Sequence, residues 1–158
     1  MAGGEDGPGA DVGRLYDQYG ASLYRYALMI LADPAAAEDA IQQVFTALLT
    51  RDRHVEQDER YLRRAVRNEC YSALRRRTRS GGEARLLDAV APDARPDDRI
   101  AIEKAIRELP AEQREVVHLH VLEGRTFQEI ADLTGDSLNT CASRYRYAVA
   151  KLKQMLVR

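Results

Sequence analysis

The sequence lacks several features that mark common classes of protein. It has no tryptophan, two cysteines, five prolines and only 6% aromatic residues among 158. Cys70 and Cys141 are too few and too far apart for a disulfide framework, so we expect buried thiols in a reducing compartment. No apolar run approaches membrane-spanning length, and Met1–Gly13 is Gly-rich and acidic, unlike a signal peptide. These absences predict a soluble cytoplasmic protein without membrane insertion.

Sequence motifs for catalysis are missing as well. There is no Gly-rich phosphate loop, no nucleophile elbow and no carboxylate pair in an apolar setting. His118 and His120 are two residues apart on a predicted helix and therefore point to different sides, unlike an i, i+4 metal-binding pair. His54 stands alone. We therefore predict no catalytic site, no metal, no cofactor and no enzymatic activity.

The sequence does contain helical periodicity. No long run alternates as a strand would, and apolar residues recur at spacings of three and four, so we predict an all-α protein. Residues 1–11 are rich in Gly and should be disordered. Residues 80–98, with two adjacent glycines and two prolines, are predicted to form a flexible linker. Two small helical domains, residues 12–79 and 99–158, would lie on either side.

A helix-turn-helix is predicted near the C-terminus. Thr126 and Glu129 form a capping box, Gly135 ends that short helix, and Asp136 or Ser137 can cap the next. The last helix has one apolar stripe: Leu138, Cys141, Tyr145, Ala148, Leu152 and Met155. Six early residues of this helix lie off the stripe and could contact base edges in a major groove. They are Asn139, Thr140, Ala142, Ser143, Arg144 and Arg146. An ordinary amphipathic helix with a solvated polar face is the alternative.

Charge is distributed unevenly along the chain. The net charge is −1, but residues 51–80 carry ten basic and five acidic side chains, and residues 136–158 carry five and one. Clustered basic charge is the electrostatic signature of phosphate binding, whereas overall neutrality predicts weak non-specific affinity. This combination suits a protein that binds DNA only when a larger assembly holds it there.

Three C-terminal segments resemble region 4 of bacterial sigma factors: Leu109–Val116, Gly124–Ala131 and Ser137–Arg144. Leu15–Arg79 resembles region 2 of the same family. Both regions in this order, with no domain between them, resemble the extracytoplasmic-function (ECF) type. The resemblance implies a subunit that directs RNA polymerase to promoters. Its implied partners are core RNA polymerase, through the β′ coiled coil and the β flap, promoter DNA and, as a further candidate, an anti-sigma factor.

The resemblance also assigns site residues. Asp39–Phe45 is similar to region 2.2, which docks on the β′ coiled coil, so Asp39, Gln42, Gln43 and Phe45 are the expected polymerase contacts. The basic helix 61–79 and the polar segment before it are similar to the parts that open the −10 element. The −10 candidates are Arg53, His54, Arg64, Arg67, Asn68, Tyr71, Arg75 and Arg76. The six residues of the last helix that lie off its apolar stripe would contact the −35 element.

The chain departs from the family pattern at four positions. Gln43 stands where an acidic residue is frequent, Leu49 lies near a frequent tryptophan, Tyr61 replaces a frequent tryptophan and Ser72 a frequent aspartate. These differences put docking strength and promoter preference in question. Two other functions stay open from the residues alone. One is a sigma-fold interaction protein that docks without opening promoters, and the other is a stand-alone helix-turn-helix regulator, which would not need the basic segment 51–79.

Overall fold

The computed structural model describes residues 8–50, 59–76 and 95–157. These residues form helices and short connections, without a strand among them, so the all-α prediction is confirmed. The elements are α1 (Pro8–Leu31), α2 (Pro34–Leu49), α3 (Glu59–Arg76), α4 (Pro96–Arg107), α5 (Ala111–Val117), a π-helical turn (His118–Leu122), α6 (Phe127–Thr134) and α7 (Leu138–Leu156).

Local sequence signals fix most helix ends. Asp33 caps α2 by accepting hydrogen bonds from the backbone amides of Ala35 and Ala36. The predicted capping box is confirmed, since Thr126 and Glu129 bond each other's backbone amides at the start of α6. Gly135, with φ 79°, ends α6 in the left-handed conformation that glycine adopts without strain. Ser137 rather than Asp136 caps α7.

Two boundaries differ from the prediction. Disorder over residues 1–11 is wrong for Pro8–Asp11, because α1 already begins at Pro8, where a proline suits the first helical turn. The linker prediction is likewise wrong for Pro96–Asp98, which open α4 with Pro96 at the start and two acidic residues in the first turn. Residues 1–7 and the rest of the predicted linker, 80–94, lie outside the described residues.

The helices form two groups that share one core. Helices α1, α2 and α3 pack on one another, and α4 to α7 form the second group around α5 and α7. Helix α1 also contacts α5, and α3 contacts α6. The apolar cluster is therefore continuous, running from Tyr26 and Val66 in the first group to Leu119 and Ile130 in the second. Each side chain of this set is fully buried.

The apolar stripe of α7 packs as predicted except at its start. Cys141 and Ala148 are buried, and Tyr145, Leu152 and Met155 pack at the edge of the core. Leu138 remains 47% exposed, so its predicted inward position is wrong. As the first residue of α7, it stands clear of the core that its helix reaches one turn later at Cys141.

Candidate nucleic-acid and polymerase interfaces

The start of α7 presents the predicted −35 side chains at a partly open surface. Asn139 and Arg146 are exposed, and Thr140, Ala142, Ser143 and Arg144 are half-buried. The Arg144 guanidinium donates to the Asp136 carboxylate at 2.6 Å, and Arg146 donates to Ser143 Oγ at 3.1 Å. These contacts leave the two arginines at the surface beside the turn between α6 and α7.

An aromatic cluster that the sequence did not indicate holds the helix-turn-helix together. The His120 ring stacks on Phe127 with centroids 4.4 Å apart and meets Tyr145 edge-on at 4.7 Å. His120 Nδ1 also lies 2.8 Å from the carbonyl oxygen of Arg125. The cluster therefore joins the π-helical turn to both α6 and α7, which sets the orientation of α7. Aromatic residues spread over three elements give no periodic signal along the chain.

Helix α3 carries the predicted −10 face. Arg64, Asn68, Arg75 and Arg76 are exposed along it, whereas Arg67 and Tyr71 are half-buried. Arg53 and His54 lie outside the described residues. Arg63, a further arginine of α3, is 2% exposed, because its guanidinium lies over the Tyr26 ring and pairs with Glu123 at 2.7 Å.

Arg67 and Tyr71 are covered because they bind a buried carboxylate of the second helix group. Glu115 of α5 is fully buried and accepts hydrogen bonds from Arg67 Nε at 2.6 Å, from Tyr71 Oη at 2.5 Å and from Tyr26 Oη. Burial and the Glu115 charge raise the pKa of both tyrosines. Burial alone would lower the pKa of Arg67, but Glu115 outweighs it and raises that pKa. All three donors thus keep their protons around this carboxylate.

A second ionic cluster joins the two helix groups nearby. Arg125, just before α6, pairs with Glu59 of α3 at 3.1 Å and with Glu123 at 2.9 Å. Burial would raise the pKa of Glu123, but the neighbouring His118, Arg63 and Arg125 lower it to about 2. Glu123 is therefore held as a carboxylate by its hydrogen bonds and by the two arginines around it.

This lowered pKa predicts an acid-sensitive contribution to stability. The stabilisation should be complete above the unfolded-state value of 4.5 and should disappear as the pH falls towards 2, because the carboxylate must then take up a proton. After allowance for solvent screening, we expect Glu123→Gln to cost about 1–2 kcal/mol at pH 7. Urea unfolding of both proteins from pH 7 to pH 3 measures this difference. A cost that stays constant over that range would contradict the assignment.

The outer face of α2 carries three of the four predicted polymerase contacts. Asp39, Gln42 and Gln43 are exposed there. Phe45 is buried at 6% exposure and packs edge-on against Tyr16, with centroids 5.2 Å apart. The expectation of a direct polymerase contact at Phe45 is therefore wrong, because its position falls on the core side of α2. Phe45 supports the exposed face from beneath.

The two predicted DNA-contact surfaces, one in each helix group, face a shared cleft. Arg67, Asn68, Tyr71 and Arg75 line its α3 side, and Thr134, Asp136 and Arg144 line the other. The Asp136 carboxylate lies 4.0 Å from Arg67 as well as 2.6 Å from Arg144. One carboxylate thus bridges a predicted −10 arginine and a predicted −35 arginine.

Among residues 8–50, 59–76 and 95–157, no cluster of three His, Cys, Asp or Glu side chains could hold a metal ion. Cys70 and Cys141 are buried free thiols, and burial raises the pKa of Cys70 to about 12. A thiol with that pKa is a poor nucleophile at neutral pH. No helix in the described part of the chain has the length and apolar character that crossing a bilayer requires.

Two family models match this chain in succession. Sigma-70 region 2 matches residues 15–80, and Sigma-70, region 4 matches residues 99–152. The chain belongs to the sigma-70 family. The region 2 match contains α2 and α3, and the region 4 match contains nearly all of α4 to α7. The family to which the sequence motifs pointed is therefore confirmed.

Named relatives agree with this placement among the sigma-70 proteins. The ECF RNA polymerase sigma factor SigL of Mycobacterium tuberculosis is 27% identical over 153 residues, which cover 90% of this chain and 86% of SigL. The ECF RNA polymerase sigma factor BldN of Streptomyces coelicolor is 29% identical over 159 residues, 91% of this chain and 60% of BldN. These relatives support the ECF type within the sigma-70 family.

A solved structure shows the same fold. The sigma factor RpoE from Bartonella quintana, crystallised with the anti-sigma factor NepR, superimposes with a TM-score of 0.71. The match covers 92% of this chain and 96% of that chain at 23% identity. At this identity the likeness establishes the shared helical architecture.

Proposed function

We propose that this chain is an ECF-type sigma subunit, which binds core RNA polymerase and directs it to promoters for transcription initiation. The observation that carries the proposal is the pair of family regions in sigma order, each presenting polar and basic side chains on one helix. Its contribution is binding and positioning, and the polymerase performs the chemistry. The proposed partners are core polymerase and promoter DNA.

In this proposal each helix face has its own task. The exposed face of α2 at Asp39, Gln42 and Gln43 docks on the polymerase β′ coiled coil, and the region 4 group contacts the β flap. The α3 face opens and holds the −10 element, and the start of α7 enters the major groove of the −35 element. Phe45 is excluded from direct contact because it is buried.

The test compares promoter binding with and without core polymerase. With a net charge of −1, the free chain should bind promoter DNA poorly, and core polymerase should increase specific affinity at least about 100-fold with a steep salt dependence. Fluorescence anisotropy of a labelled promoter fragment across a salt series measures this. Tight sequence-specific binding by the free chain as a dimer would instead identify a stand-alone regulator.

The covered state of Arg67 and Tyr71 gives the second candidate function a specific basis. A sigma-fold protein that docks on polymerase or on an anti-sigma factor without opening promoters would not need these side chains exposed. Permanganate footprinting of unpaired thymines in the polymerase–promoter complex separates the candidates. Polymerase binding without unpaired thymines around −10 would favour the interaction protein. An anti-sigma factor, the kind of partner bound to the Bartonella protein, is a candidate partner in either case.

Polymerase docking is predicted to depend on Asp39. Asp39→Lys should weaken binding to core polymerase about tenfold, because charge reversal in the middle of the exposed α2 face opposes a basic partner surface. Asp98→Lys, an equal charge change at an exposed residue of α4, is the matched control and should bind normally. Titration of labelled core polymerase gives both dissociation constants. Equal affinities would remove Asp39 from the docking surface.

A further inference from the structure

The Arg144 side chain is drawn back along α7 by an acidic residue in the turn before that helix. Arg144 Nη1 donates to Asp136 Oδ2 at 2.6 Å, although the two residues are eight apart in sequence. Arg144 lies about 9 Å of helix axis beyond Leu138, the first residue of α7. Because helical side chains lean towards the N-terminus, the guanidinium can reach Asp136 only by extending in that direction. It therefore lies beside the first turn of α7.

The turn that carries Asp136 is fixed on both sides. Gly135 ends α6 in the left-handed conformation, and the Asp136 N–H donates to Thr134 Oγ1 at 3.2 Å. On the other side Ser137 Oγ accepts from the Thr140 N–H at 3.1 Å and caps α7. These bonds hold the Asp136 backbone at a set place relative to the start of α7. The carboxylate is therefore a fixed anchor for Arg144.

This anchor suits an arginine that reads a base. The first residues of the second helix are the part of a helix-turn-helix that reaches base edges. A free arginine side chain has many rotamers, and binding must order them, whereas Asp136 orders Arg144 before DNA arrives. The guanidinium has five N–H donors, so the bond to Asp136 leaves enough of them for the two major-groove acceptors of guanine.

The carboxylate also changes what kind of DNA contact is favourable. A negative charge at a DNA-contact surface repels phosphate and lowers non-specific affinity. Paired with Arg144 it cancels the local positive charge, so this part of α7 gains little from phosphate attraction. The side chains of Arg144 and Asp136 are 27% and 30% exposed, and a pair this open contributes little to fold stability. Base recognition accounts for the pair better than stability does.

We propose that Asp136 is a positioning residue for −35 recognition, which aims Arg144 at one base pair and so determines specificity there. The inference rests on the proposed function, because it concerns the helix assigned to the −35 element. Asp136 acts through Arg144 and does not itself contact a base. Its removal should therefore affect base discrimination only while Arg144 is present.

The test measures binding of the chain–polymerase complex to a promoter fragment and to fragments with each −35 base pair changed singly. The discrimination ratio is the affinity for the original fragment divided by the affinity for the most weakened one. The wild type should give a ratio of at least about tenfold, and Asp136→Asn about threefold or less. Affinity of Asp136→Asn for non-specific DNA should stay equal or rise, because a negative charge is lost. Asp136→Glu keeps the carboxylate and should give an intermediate ratio.

Two comparisons identify the route of the effect. Asp136 Oδ2 also lies 4.0 Å from Arg67, so Asp136→Asn is combined with Arg144→Ala in a double-mutant cycle. The double variant should have the same ratio as Arg144→Ala alone. Asp132→Asn is the matched control, an equal charge change at an exposed residue of α6 whose carboxylate accepts from Gln128 at 3.0 Å. It should keep the wild-type ratio.

Three results would overturn the proposal. One is an unchanged ratio for Asp136→Asn with wild-type helical circular dichroism, and if that variant loses its helical signal, Asp136→Ser is measured in its place. Another is an equal fall in the ratio with and without Arg144. The third is tighter binding of the original fragment with the ratio intact, which would show that Asp136 holds Arg144 away from DNA. A wild-type complex that is indifferent to every −35 change would overturn the proposed −35 reading as well, whereas the three results above leave the proposed function standing.

Discussion

Replacing Arg114 with alanine is expected to lower the free energy of unfolding by about 3–5 kcal/mol. Its guanidinium is buried and donates to the carbonyl oxygens of Met29 at 2.8 Å, Ile30 at 2.7 Å and Leu109 at 2.5 Å. Met29 and Ile30 lie in the last turn of α1, where carbonyls have no partner within the helix. Without Arg114 these buried acceptors lose their donors.

Urea unfolding followed by circular dichroism measures this cost. Arg107→Ala is the matched control, because Arg107 forms a partly exposed ion pair with Glu103 at 2.7 Å and should cost less than about 1 kcal/mol. Arg114→Lys retains the charge but can reach fewer of the carbonyls, so an intermediate loss is expected. A cost below about 1 kcal/mol for Arg114→Ala would show that these carbonyls find other donors.

Replacing Arg144 with alanine is expected to weaken promoter binding by the chain–polymerase complex by about 1–3 kcal/mol, or 5- to 150-fold. Arg144 lies in the second turn of α7, beside the exposed polar face, and its guanidinium donates to the surface carboxylate of Asp136. Arginine at this position of a recognition helix can pair with two acceptors of guanine. If Arg144 pairs with guanine, the loss of affinity should depend mainly on one base pair of the −35 element.

Two variants separate base recognition from general attraction to phosphate. Arg144→Lys retains the charge but not the two-pronged geometry, so it should lose most of the affinity if Arg144 contacts a base and little if it contacts a phosphate. Lys153→Ala, at an exposed residue about two and a half turns further along α7, removes a cation far from the proposed groove contact and should change affinity little. Equal affinity for Arg144→Ala and the wild type would place Arg144 outside the DNA interface.

Sequence predicted the features that depend on near neighbours. The capping box of Thr126 and Glu129 and the stop at Gly135 follow from backbone hydrogen bonding within four residues, and both occur. The all-α class and the two family regions could likewise be predicted, because helical periodicity and family motifs are written along the chain. The predicted basic helix coincides with α3 from Tyr61 to Arg76 for the same reason, and residues 77–79 lie outside the described residues.

The polar contacts between the helix groups could not be predicted in this way. Arg114 and Glu115 are charged residues at core positions. Hydrophobic periodicity predicts that charged residues lie at the surface, because the pattern contains no information about partners elsewhere in the chain. Their donors and acceptors come from α1 and α3, about 40 to 90 residues away in sequence. A charged pair directly before the apolar Val116 and Val117 was the one signal, and it gave no indication of the partner.

The same limit applies to predicting which side of α3 is buried. The spacing of Arg64, Asn68, Tyr71 and Arg75 correctly places them on one side of a helix, but burial depends on what packs against that side. Arg63 is a core residue because its guanidinium pairs with Glu123 and lies over the Tyr26 ring. Phe45 lies beneath the exposed face of α2 because the Tyr16 ring packs against it. Which face of a helix is covered is decided by tertiary packing, and all three of these contacts join a helix to a residue outside it.

The most direct measurement of the central claim is transcription in vitro from genomic DNA fragments with purified core RNA polymerase, with and without this chain. The account predicts discrete transcripts from a small set of start sites that appear only when the chain is added. Those start sites should share sequence near −10 and −35. Polymerase, and the chain where it is added, should be in excess of the DNA. Identical transcripts with and without the chain under these conditions would contradict the account.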